Sequence, residues 1–287
     1  MSLRRTIRRC CAVFALTLAI GGAATPLLAA PQRGDFTGEV PGVSGKTWID
    51  LLSQVFLDIA AADDGSANAS DVNDLRSIGS GDDSWVKCGD HIHLLDRDAR
   101  PIRLAGSDYT VVTVTIEDEC VGLIALFDSA GKLIDAVNVR GDVHVSFSDN
   151  YVRPLGAGGA LVIAHNWHDN SAQSYDADAL ILAKPDGLSA IGSLLAFGER
   201  VCDGKSGSLM TEESKITVKP DGQPFARIGA SIERRMSRIN PHDCETKIGS
   251  ETATTFTGYW SWNPAKGTYE PHTQGLDALD KWNEKHF

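Results

Sequence analysis

Between residues 109 and 183, apolar and polar positions fall into short blocks with the two-residue period of β-structure, and the rest of the chain reads as an arrangement around them. In residues 111–117 the set Val112, Val114 and Ile116 alternates with Thr113, Thr115 and Glu117, which puts one face on a core and one in water. Residues 122–127 are instead a continuous apolar run stopped by Asp128-Ser129-Ala130-Gly131. A run that short predicts a strand covered on both faces. The chain returns through residues 133–139. After Gly141-Asp142, Val143, Val145 and Phe147 face one way and His144, Ser146 and Ser148 the other. Gly156 to Gly159 makes a bend, and Leu161-Val162-Ile163-Ala164 leads into His165-Asn166-Trp167-His168-Asp169-Asn170, which reads as a polar loop.

On the N-terminal side, Trp48, Leu52, Val55, Phe56 and Ile59 recur at helical spacing, and Thr47 with Asp50 forms a capping-box pattern, so a helix is predicted over 47–61. Residues 62–84 are rich in Asp, Ser, Asn and Gly and read as a solvated linker. Hairpins are predicted around Asp96-Arg97-Asp98-Ala99-Arg100, Lys184-Pro185-Asp186-Gly187, Lys219-Pro220-Asp221-Gly222 and Asn263-Pro264-Ala265-Lys266-Gly267. Leu276, Leu279 and Trp282 mark a short C-terminal helix. The fold class expected is mainly β, an antiparallel hairpin array stacked as a two-sheet sandwich or a small propeller-like array. An amphipathic helix precedes it and a short helix ends it. Three segments follow: a leader over 1–30, a helical segment with linker over 31–86, and a single β domain over 87–287.

The leader changes the picture of location. Arg4, Arg5, Arg8 and Arg9 precede the apolar residues 12–20, and Leu28-Ala29-Ala30 supplies small residues before Pro31. This is the order of a secretory signal peptide, with an apolar stretch too short to span a bilayer. The expectation is an exported chain, periplasmic or secreted, with no membrane insertion after cleavage. The formal net charge is −11, and removing the basic leader makes the remainder more acidic, so nucleic acid is excluded as a partner. Cys88, Cys120, Cys202 and Cys244 lie beyond the leader. An even number of cysteines in an oxidising compartment predicts two disulfides, and local closure favours Cys88 with Cys120 and Cys202 with Cys244.

Candidate chemistry is sparse. Gly42-Val43-Ser44-Gly45-Lys46-Thr47 lacks the first glycine of a phosphate-binding loop, and Gly204-Lys205-Ser206-Gly207 lacks the spacing of a nucleophile elbow. His91 and His93, two apart on a strand, project from one face with usable metal-ligand spacing, although zinc needs a third ligand. Phe256, Tyr259, Trp260, Trp262 and Tyr269 crowd the last hairpin, a pattern shared by sugar-stacking platforms and by cross-strand pairs that stabilise sheets. The densest polar group is the expected loop, with His165, Asn166, Trp167, His168, Asp169, Asn170, Gln173 and Tyr175 as candidate binding residues. No complete catalytic pattern is present and no cofactor is implied, apart from a metal at the histidine pair. The expected function is therefore an exported, non-enzymatic binding protein of a bacterial-type envelope or exterior, whose partner is a protein, a small molecule or a glycan. The alternative is a metal-assisted hydrolase using His91, His93 and a residue of 165–169. A carbohydrate-binding module on the last hairpin comes third.

Overall fold

Thr47 and Asp50 form the capping box that starts the first helix, the Thr47 hydroxyl accepting from the Asp50 amide and the Asp50 carboxylate accepting from the Thr47 amide. The computed structural model describes residues 35–73, 75–78, 91–117, 122–139, 145–170 and 172–285. Helix α1 (Trp48–Leu52) lasts about one turn, not the whole of 47–61. Trp48, Leu52, Val55 and Phe56 are all buried, so the apolar stripe identifies the core side, but tertiary contacts end the helix early. Gln54 is captured by the main sheet: its amide nitrogen donates to Gly131 O (2.8 Å) and its oxygen accepts from Leu133 N (2.8 Å). Asp58 then adopts φ 51°, which no helix accommodates.

The chain continues as β1 (Phe56–Leu57), β2 (Ala60–Ala61), β3 (Ala67–Ala69), β4 (Asp71–Val72) and β5 (Arg76–Ser77), with β1 pairing β4. Where a solvated linker was expected, Ala67, Ala69, Leu75 and Ile78 are buried and β3 and β5 join a sheet, with β2, at the end of the expected helix, at its edge. Small residues alternate there with polar ones, a pattern easily mistaken for a linker when no large side chain marks the buried face.

A seven-stranded sheet is completed by β6 (Ile92–Leu104), β7 (Ser107–Ile116), β8 (Leu123–Asp128) and β9 (Leu133–Asn138), in the order β2-β3-β6-β7-β8-β9-β5. All its pairings are antiparallel except β5 with β9. The hairpin expected at 96–100 does not form; β6 runs straight through to a turn at Ala105-Gly106. Its charges are absorbed locally, because Arg97 is buried over the rings of Phe36 (4.8 Å) and Trp48 (4.9 Å) and Arg100 pairs with Asp98 (2.8 Å).

From β10 (Val145–Gly156) the chain moves to a second sheet of eight strands. It continues through β11 (Gly159–Asp169), β12 (Gln173–Lys184), β13 (Gly187–Cys202), β14 (Gly207–Lys219), β15 (Arg227–Ile239), β16 (Lys247–Asn263) and β17 (Thr268–His272). Spatial order equals sequence order throughout, so this is one continuous meander and not a set of propeller blades. The turns at 185–186 and 264–267 fall where the sequence places them. Helix α2 (Gln274–Asn283) follows, two residues earlier than expected at its start, and buries Leu276 and Leu279.

The sandwich core lies between the sheets: Leu104, Val111, Ile124 and Leu126 from the first meet Val145, Val162, Ala164 and Ile181 from the second. Opposite faces are covered as well. Phe36, Trp48, Leu52 and Phe56 pack with Val112, Val114, Leu123 and Phe127 on the outer side of the first sheet. The second sheet folds over on itself, because β13 and β14 pair only between 198–202 and 207–211. Beyond that seam Leu161, Ile163, Leu180 and Leu182 pack against Ile216, Ile228, Ile232, Trp260 and Leu279. Strands β8, β11 and β12 are thus buried on two faces, which explains their unbroken apolar runs.

Cys202 and Cys244 form a disulfide with Cα atoms 5.8 Å apart, tying the end of β13 to the turn between β15 and β16. Cys88 and Cys120 lie outside the described residues, as do His144 and the leader. Among the described residues no helix is long and apolar enough to cross a membrane.

Candidate functional site

The polar stretch from His165 is not a loop. It is the end of the β11–β12 hairpin, with His165 opposite Asp178, Asn166 opposite Ala177, Trp167 opposite Asp176, His168 opposite Tyr175 and Asp169 opposite Ser174. Strand alternation therefore sends the candidate residues to two faces. His165 and Trp167 continue the face of Leu161 and Ile163; Asn166 and His168 continue the face of Val162 and Ala164. His165 and His168 do not share a concavity.

His165 sits at the open end of the folded-over second sheet. Its Nδ1 is 2.9 Å from Asp178 Oδ1, and Asp178 Oδ2 accepts from the Ser214 hydroxyl at 3.2 Å. Its Nε2 lies 3.6 Å from Asp176 Oδ1. The hydrogen bond to Asp178 raises the imidazole pKa above its ordinary value, against a smaller opposing effect of burial, with further attraction from the charges of Asp178 and Asp176. His165, Asp178 and Ser214 form the floor of a cleft of about 610 Å³ between β10 and β14, with Ile163 and Ile216 in its wall; Phe147 borders it, its side chain packed in the sandwich core. A register break in β10 between Phe147 and Val152 brings Ser148, Asp149 and Asn150 to the rim. Arg153, partly buried, bridges the cleft by donating from Nη1 to Ile216 O at 2.5 Å, and Lys215 stands beside it. Ser214 hydrogen-bonds the aspartate and not the histidine. A serine nucleophile with a histidine base is therefore not assembled in this cleft.

On the other face His168 stacks on Tyr175 (5.6 Å, 13°), and Tyr175 meets Phe197 (6.2 Å). With Asn170, Gln173 and Ser174 they line a smaller hollow of about 230 Å³. Its polar members are largely self-satisfied: Asn170 Oδ1 accepts from the amides of Ala172 and Gln173, and Gln173 donates to Glu199 at 3.2 Å. Asp169 is exposed and Trp167 is 46 % exposed, while Asn166 is buried.

The metal expectation finds no geometric support. Among the described residues no group of three or more His, Cys, Asp or Glu is placed to hold a metal ion. His91 precedes β6 and is exposed, whereas both ring nitrogens of His93 are engaged, Nδ1 with Glu117 (2.7 Å) and Nε2 with Ser66 Oγ (2.7 Å). That second cluster, Ser66-His93-Glu117, follows the order of a nucleophile, base and acid, and sequence reasoning missed it because Ser66 lies in the expected linker. Yet Ser66 is 6 % exposed and its hydroxyl also lies 2.5 Å from Asp64 Oδ1. The buried Ser66 hydroxyl is shared between Asp64 and His93, and the cluster fastens the start of β3 to β6.

The aromatic hairpin packs mostly inward. Trp260 and Tyr269 are buried, Phe256 and Trp262 pack against the same core, and Trp262 meets Phe225 (4.5 Å) and Tyr269 (5.5 Å). Only Tyr259 faces out, stacked on His272 (4.6 Å) beneath Arg227 (4.8 Å). No protein-family model, no curated protein and no solved structure matches this chain. The case for a site therefore rests on geometry. Of its parts, His165 was visible in the sequence through local polar density, whereas Arg153, Asp178 and Ser214 stand on three other strands and carry no local pattern.

Proposed function

We propose that the protein is an exported binding protein that seats a small ligand in the cleft between β10 and β14. The observation that carries this reading is the hydrogen-bonded row His165-Asp178-Ser214 on the floor of a cleft whose wall includes Ile163 and Ile216 and whose rim is polar. A few oriented polar groups set in an apolar wall are the usual composition of a ligand site. The row has no nucleophile paired with a base, which favours binding over turnover. Export is supported by the basic, apolar and small-residue order of the first thirty residues, and the Cys202–Cys244 bridge agrees with an oxidising compartment.

A fragment screen followed by backbone and imidazole NMR tests the reading. Hits are expected to shift His165, Asp178 and the amides of residues 214–216 together, and His165→Ala is expected to abolish them. Hits that map to the His168–Tyr175 hollow, or that survive His165→Ala unchanged, would place the site elsewhere.

A further inference from the structure

Resting on the cleft reading above, we infer that the ligand carries an anionic head group, held by Arg153 beside His165, and an apolar part packed on Ile163 and Ile216. The chain has a formal charge of −11, so cations without a carboxylate partner are conspicuous wherever they collect. Two collect here. Among the described residues neither Arg153 nor Lys215 has a carboxylate within ion-pair distance, and the only bond of the Arg153 side chain is to the carbonyl of Ile216. A partly buried guanidinium facing a carbonyl retains donors in the fork geometry that matches carboxylate and phosphate oxygens.

None of the acids nearby reaches Arg153. Asp178 already accepts from His165 and Ser214, so its charge is balanced within the floor. Asp176 faces His165 at 3.6 Å with its side chain 58 % exposed, and Asp149 is exposed at the rim, where water and salt screen both. The charged groups facing the site are then Asp149 and Arg153 on β10, His165 on β11, Asp176 and Asp178 on β12, and Lys215 on β14. Of this set Arg153 is the partly buried cation whose side chain bonds no carboxylate, and it stands beside Ile163 and Ile216, where an acidic group on a ligand would complete its bonding.

Four probes that share one aromatic ring separate the possibilities: phenylacetate, phenyl phosphate, benzylamine and benzyl alcohol, each titrated into the full folded chain and followed by NMR. One or both anions are expected to shift the His165 ring and the amides of 214–216 saturably, at least about tenfold more tightly than the amine or the alcohol. The ratio between the two anions then assigns carboxylate or phosphate. Arg153→Gln is expected to erase the preference, whereas Lys281→Gln, on α2 and outside the cleft, is expected to keep it. Should Arg153→Gln fail to fold, the preference among probes on the unaltered chain decides alone. Equal or tighter binding of benzylamine or benzyl alcohol in the cleft overturns the anionic head group while leaving the cleft as a site. No perturbation by any of the four overturns both.

Discussion

At His165 the charge state and the fold are linked. Its pKa in the folded chain lies above the ordinary 6.5, chiefly because Asp178 accepts from the ring. The pairing therefore stabilises the fold fully below about pH 6.5 and fades as pH rises through the raised value. Melting temperature is expected to fall between about pH 6 and about pH 8 in the unaltered chain and to fall less in Asp178→Asn, with the His165 titration moved down in that variant. A steeper loss in the variant would contradict the assignment. At His93 the expectation concerns stability and not chemistry. His93→Ala should cost about 1 to 3 kcal/mol in chemical denaturation by removing the ring that joins the buried Ser66 hydroxyl to Glu117, and a fluorophosphonate should leave Ser66 unlabelled. Residue types were legible at both places, but their partners were not: Asp178 is thirteen positions from His165 and Ser66 twenty-seven from His93.

Among the elements, strand periodicity was the readable part. The alternation over 111–117 and the solid apolar run over 122–127 became β7 and β8, but only β8 has the burial expected: Thr113 and Thr115, placed in water by the alternation, are buried because β7 is covered on both faces. Two errors share one physical cause. The helix over 47–61 and the turn over 96–100 were inferred from local pattern, and long-range contacts overrode both, Gln54 being clasped by the β8–β9 turn and Arg97 by Phe36 and Trp48. Helix α2 shows the same dependence from the other side. Its ten residues are short for autonomous helicity, and its docking relies on a buried network in which Arg234 pairs with Glu212 (2.6 Å), donates to Asn283 (2.7 Å) and lies 3.6 Å from the Trp282 ring. Arg234→Ala is expected to cost about 3 to 5 kcal/mol, because it strands the Glu212 carboxylate in the interior. Limited proteolysis should then cut within 274–283, whereas Glu212→Met with Arg234→Met should restore resistance. Equal susceptibility of the single and double variants would show that the pair does not hold the helix.

For the whole molecule, the sandwich was foreseeable from the number and patterning of strands, but the fold-over of the second sheet was not. It depends on close approaches such as that at Gly192, where a Cβ would come within 2.6 Å of the Trp260 ring. Gly192→Ala is expected to destabilise by about 1 to 3 kcal/mol by forcing the two halves apart, with Trp260 fluorescence reporting the shift. The Cys202–Cys244 bridge acts on the projecting end of the same sheet, and by chain entropy its removal is expected to cost about 3 to 4 kcal/mol. The identity of spatial and sequence order from β10 to β17 has a kinetic consequence. Each strand pairs with the one made just before it, so a chain delivered from its N-terminal end can grow the second sheet one hairpin at a time. No early strand of that sheet has to wait, exposed, for a distant partner, which keeps loop-closure cost low at every step. The first sheet differs: β5 must wait for β9, whose paired residues lie 61 positions downstream, so ordering of the parallel edge at Arg76–Ser77 belongs to a later stage of assembly than the hairpins beside it.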